Sequence, residues 1–115
     1  MIRVSLKLKS NTDYYDFVIK DIAYIQYIGS KTLGIAYKNK KFVVSGYTLK
    51  ELYKLIGDKF AYADRNLLIN TSMILYIINN RIYIKGIKET FDISVRRRKE
   101  LKELLMKKQE DLIYE

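Results

Sequence analysis

The chain has 115 residues, with 22 lysines and arginines against 13 aspartates and glutamates and no histidine, for a formal charge of +9. It contains no cysteine either, and the two absences together exclude disulfide frameworks, thiolate nucleophiles, thiolate or imidazole zinc sites and the side chain used most often in proton transfer. Apolar residues make up 49% of the chain, enough for one core in one domain over residues 1–115, and no run approaches the roughly 20 apolar residues that cross a bilayer. A soluble, cytoplasmic protein is expected.

Ile2, Val4, Leu6 and Leu8 alternate with Arg3, Ser5, Lys7 and Lys9, the period-2 signature of a strand with one face buried. The same cations interrupt the apolar run that a signal peptide needs. Alternation returns at Tyr15, Phe17 and Ile19, at Leu33, Ile35 and Tyr37, and at Phe42 and Val44, with the polar run Lys38 to Lys41 as a hairpin turn. The first forty-five residues therefore read as a β meander, and Ile22 to Ile28, apolar on both faces, reads as its central strand.

At Thr48 the period changes. Leu49, Leu52, Leu55 and Ile56 fall at helical spacing, Thr48 and Glu51 form a capping box, and Gly57 stands at a C-cap position. A short helix near 48–57 follows, packing its apolar stripe on the sheet. Beyond Phe60, the stretch Ala61 to Asn66 reads as irregular. Ile74 to Ile78 and Arg81 to Lys85 flank Asn79-Asn80, two residues that tolerate the left-handed conformation of a tight hairpin. A strand from Glu89 to Ser94 precedes a C-terminal helix from Arg97 to Tyr114, striped by Leu101, Leu104, Leu105, Leu112 and Ile113. The stripe fits packing on its own domain or on a second copy. Glu110, Asp111 and Glu115 read as a solvated helix face, and the acidic residues show no clustering that would hold a metal.

The positive charge makes a polyanionic partner plausible, although a coding bias toward lysine would raise it without any binding. Placement is more informative. Arg96, Arg97 and Arg98, followed by Lys99, sit at a strand-to-helix junction, where guanidinium groups and helix-start N–H groups both suit anions. Gly29-Ser30-Lys31-Thr32 offers a cation and two hydroxyls for phosphate oxygens, and Asp64-Arg65-Asn66 is a third polar segment with a cation.

Taken in order, these pieces resemble the LytTR family of bacterial DNA-binding domains over roughly Asp21 to Leu105. Asp21-Ile22-Ala23-Tyr24-Ile25-Gln26 resembles the family's opening segment, and Thr48-Leu49-Lys50-Glu51-Leu52 its helix. Phe60 followed by Arg65-Asn66-Leu67-Leu68-Ile69-Asn70 resembles its most specific stretch, and Ser94-Val95-Arg96-Arg97 its closing segment.

The resemblance implies a mainly β fold, an elongated arrangement of small antiparallel sheets whose loops enter successive stretches of major groove. It implies Arg65 and Arg96 as base-reading residues, Thr32 with Lys31 in the same role from the first loop, and Asn66, Ser94, Arg97 and Lys99 on phosphates, joined by Ser30. Double-stranded DNA is the implied partner, with a homodimer on DNA at paired direct repeats, and no cofactor, metal or small-molecule substrate. Tyr62, Asp64 and Asn66 depart from the family's frequent residues, and Asp64 puts a negative charge on a loop that should face phosphates. The competing reading is a small β module binding RNA or a protein partner through its tyrosines. An enzyme ranks below both, because no nucleophile-base pair or phosphate-cradling glycine motif can be assembled.

Overall fold

The computed structural model describes residues 3–114, with side chains as far as Lys107. Ile2 of the first strand, Leu112 and Ile113 of the helical stripe, and the acidic tail residues Glu110, Asp111 and Glu115 therefore lie outside what is described of side chains.

Three antiparallel sheets stack in layers. The strands β1 (Ser5–Ser10) and β2 (Asp13–Val18) form a two-stranded sheet of their own. The middle layer has five strands in the order β5-β4-β3-β7-β6, built from β3 (Ile22–Gly29), β4 (Thr32–Tyr37), β5 (Lys40–Ser45), β6 (Phe60–Asp64) and β7 (Leu67–Asn70). On its other face lies a three-stranded sheet of β8 (Ile74–Ile78), β9 (Arg81–Ile84) and β10 (Thr90–Asp92). Helix α1 (Leu49–Ile56) and helix α2 (Arg98–Tyr114) complete an elongated molecule with extents of 46 × 31 × 24 Å.

The centre of the middle sheet, Ile22 to Ile25 of β3 with β7 and most of β4, is buried on both faces, which is why these segments read as apolar on both, whereas Tyr27 and Ile28 at the end of β3 and Val43 of β5 are exposed. One core joins Leu6, Leu8 and Phe17 of the small sheet to Ile25, Leu33, Ile35 and Leu68, with Leu52 and Ile56 of α1. The other joins Tyr24, Leu67 and Ile69 to Ile82, Ile84, Ile93 and Leu101 of α2. Leu101 thus packs on its own domain, while Leu104 is exposed. Two-state burial of this kind, alternating along each strand, fixes register, because a one-residue slip would exchange the two cores.

The expected meander is interrupted. Ile19–Asp21 forms a short 3-10 turn that carries the chain from one sheet to the next, and only β3, β4 and β5 continue as a meander. Val4 does not join the buried face: it is 72% exposed, and its carbonyl accepts the Ile19 N–H at 3.0 Å. Ala61 to Asp64, expected to be irregular, is strand β6, paired with β7. The capping box of α1 forms with both of its hydrogen bonds, whereas Gly57 is right-handed and opens a 3-10 turn instead of a left-handed cap. The polar run at Lys38 to Lys41 narrows to a turn at Lys38 and Asn39, with Lys40 and Lys41 already in β5.

Candidate nucleic-acid interface

Hairpin geometry decides where the candidate residues lie. Ser30 and Lys31 both have positive φ, 50° and 54°, the signature of a type I′ turn whose twist matches the flanking strands. Gly29 enters that turn at φ 101°, a conformation that costs a residue with a Cβ. Thr32 Oγ1 donates to the Ser30 carbonyl at 3.1 Å, and the Lys31 carbonyl accepts the Gly46 N–H, so the turn is tied to its neighbours with the Lys31 side chain exposed.

Arg65 and Asn66 form the turn between β6 and β7. Asp64 Oδ1 accepts the Asn66 N–H at 2.7 Å. The Asn66 carbonyl accepts the Tyr27 N–H at 2.8 Å, continuing the β3–β7 ladder past Gln26 and Leu67. That bond sets the Arg65 turn beside the Ser30 turn, at the same end of the middle sheet.

The third segment arrives through a bulge. The register shift between Tyr62 and Asp64 leaves Ala63 out of the β7 ladder, and a bulge turns a backbone group outward for another partner. The Ala63 carbonyl accepts the Ser94 N–H at 2.9 Å, and Ser94 in turn accepts the Arg97 N–H. Val95–Arg97 is therefore a 3-10 turn docked on the edge of β6. Arg96, expected near the end of the last strand, sits on this turn, beyond β10.

The three segments line one end of the sheet but engage their cations differently. Arg65, Arg96, Lys31 and Lys99 are exposed and have no ion pair or side-chain hydrogen bond among the described residues. Arg97 is engaged: its guanidinium lies 5.2 Å from the Tyr62 ring centre and 3.5 Å from Glu100 Oε2. Burial, helped by Tyr53, pushes the Tyr62 phenol above the usual tyrosine value against the pull of Arg97. Tyr62 therefore supplies the aromatic face that holds Arg97, a pairing its departure from the family pattern conceals. Residue types alone also missed Asn70. Its Nδ2 donates to the carbonyls of Ile22 at 2.9 Å and Lys20 at 3.3 Å, and its Oδ1 accepts from Ser72. This side chain pins the start of β3 to the end of β7.

Among the described residues no cluster of carboxylates could hold a metal ion, and no helix is long and apolar enough to cross a membrane.

The family model described as the LytTr DNA-binding domain matches residues 13–106. Among solved structures, the chain is similar to the LytTr DNA-binding domain of a putative methyl-accepting/DNA response regulator from Bacillus cereus. The two share 17% identity at a TM-score of 0.70, covering 90% of this chain and 97% of that one. At that identity the likeness speaks for the fold. No curated protein matches the chain.

Proposed function

The chain belongs to the LytTr DNA-binding domain family, and from that premise we propose that it reads specific duplex sequences as a bacterial transcription regulator. Its loops enter successive stretches of major groove at paired direct repeats. Arg65 and Arg96 read bases through the guanidinium fork that matches the O6/N7 edge of guanine, with Lys31 and Thr32 contributing from the first turn. Ser30, Asn66, Ser94 and Lys99 hold phosphates, and Arg97 reaches them with the part of its guanidinium that Glu100 leaves free.

One observation carries this reading: Arg65 and Arg96 are both exposed and unengaged among the described residues, on segments that backbone hydrogen bonds bring to one end of one sheet. A turn already held by its own backbone leaves only the arginine side chain to be ordered when the guanidinium meets a base. The exposed tyrosines among the described residues, Tyr14, Tyr27, Tyr53 and Tyr76, lie on three different sheets and on α1, which offers no continuous stacking platform for single-stranded RNA.

Selection of preferred duplexes from a random pool tests the proposal and reports repeat spacing together. Enrichment of a paired motif that single strands fail to displace is the expected outcome. Recovery of no preferred duplex, or displacement by single strands at moderate salt, would sink it.

A further inference from the structure

A groove of about 670 Å³ opens between the small sheet and the C-terminal end of α1. Its floor is apolar: Val18, Ile19 and Ile56 lie in it, and beside them Val4 and Leu55 stay 72% and 41% exposed. Its rim carries Arg3, Lys20, Lys54 and Lys59, all exposed, against the single acid Asp58. None of the four cations has an ion pair among the described residues. Asp58 and the carbonyl end of α1 subtract from that positive field without cancelling it.

The groove lies away from the candidate DNA-reading turns. Lys20 precedes the start of β3 and the Ser30 turn follows its end; Lys59 precedes the start of β6 and the Arg65 turn follows its end. Eight residues of β3 separate the two ends, about 25 Å at the rise of an extended strand. A duplex held at one end leaves the other open.

Phosphates alone would satisfy the four cations and leave Val4 and Leu55 in water. A partner that brings both carboxylates and apolar side chains satisfies both features, as charge-complementary interfaces with an apolar centre do. We propose that this groove docks an acidic segment of another protein, one that presents apolar side chains between its carboxylates, while DNA occupies the opposite end of the middle sheet. The site rests on its own geometry and not on the assignment of Arg65 and Arg96.

The test uses the full chain and a short labelled peptide of glutamate and leucine at i, i+4 spacing, followed by fluorescence anisotropy. Oligoglutamate without leucine and a lysine-leucine peptide of the same pattern serve as references. Two double variants are compared, Lys20→Gln with Lys54→Gln and Val4→Gln with Leu55→Gln. All four side chains are exposed, so neither pair opens a cavity, and the second is charge-neutral. The glutamate-leucine peptide should bind, weaken by about tenfold or more in each double variant, and keep its affinity when saturating duplex DNA is present. Both variants should bind DNA as the parent chain does, which also reports that they fold. The proposal is overturned if the peptide fails to bind, if oligoglutamate binds equally well, if duplex DNA displaces the peptide, or if dodecanoate displaces it and so marks a site for a small amphiphile.

Discussion

The Asp64 carboxylate accepts the Asn66 backbone N–H at 2.7 Å and so closes the turn that presents Arg65. A short acidic side chain that caps its own turn offsets a backbone donor that would otherwise need water. The charge that looked misplaced near phosphates therefore has a structural task, and the task needs the oxygen, not the charge. Asp64→Asn should keep the turn and tighten DNA binding, more at low salt than at high salt, because one repulsive charge is gone. Asp64→Ala should cost about 1 kcal/mol of stability and weaken specific binding. Thermal unfolding and anisotropy titrations at two salt concentrations check both, and equal DNA affinity for the two variants would show that the turn contact is irrelevant to binding.

Arg65→Ala and Arg96→Ala should each cost about 1–3 kcal/mol on the preferred duplex and relax preference at one position. Both residues are exposed, so the loss should come without a change in melting temperature. An equal loss on random DNA would remove the base-reading role.

Lys99 and Arg97 stand close in sequence, but only Arg97 should matter for stability as well as for binding. Lys99 is exposed with no ion pair among the described residues, so Lys99→Ala should weaken binding about uniformly across sequences and lower the salt slope by roughly one unit. Arg97 stacks on Tyr62 and meets Glu100, a cation–π contact that contributes about 0.5–1 kcal/mol at a partly exposed site. Arg97→Ala should therefore lower the melting temperature as well as the affinity, whereas Arg97→Lys should recover only part of either. An unchanged melting temperature for Arg97→Ala would show that the stack does not anchor the turn.

Local periodicity was a good guide wherever one strand or helix carried its own pattern. Leu6 and Leu8 alternate with lysines because one face of β1 is wet, Ile22 to Ile25 is apolar on both faces because that part of β3 is buried in the middle of the middle sheet, and the α1 cap is written in Thr48 and Glu51 alone. Ala61 to Asp64 was illegible for the opposite reason. Alanine and aspartate are poor strand formers, and the segment is a strand because β7 pairs with it. The break at Ile19–Asp21 was hidden because alternation runs through a turn that merely changes sheets. Arg65 and Arg96 could be singled out as residues, but their shared location rests on Ser94 bonding to Ala63 and Tyr27 to Asn66. Contacts so remote in sequence leave no periodic trace.

The Tyr62 phenol, held above its usual value mainly by burial, predicts a loss of stability in alkali. A group whose folded value is raised favours its protonated form in the native state, so its contribution is present below the unfolded tyrosine value near 10 and disappears as pH rises through the folded value. Tyr24 is shifted the same way by burial and Glu89. The melting temperature should fall above about pH 10, and Tyr62→Phe should make that fall shallower without removing it. Identical alkaline profiles would show that Tyr62 does not titrate with unfolding.

Asn70 offers the sharpest stability test, because it is 1% exposed and uses both ends of its amide. Removing the side chain strands the carbonyl of Ile22 in a buried setting and deprives Ser72 of its acceptor. A buried polar group left unsatisfied costs about 1–3 kcal/mol, so Asn70→Ala should destabilise by several kcal/mol in denaturant unfolding once the lost contacts are included. Asn70→Asp keeps the acceptor for Ser72 but has no N–H for Ile22 and Lys20, and it places a charge against two carbonyls. It should be at least as damaging near neutral pH and recover on acidification, when the protonated carboxyl can donate again. An Asn70→Asp variant as stable as the parent at neutral pH would show that the amide donor does not hold β3 to β7.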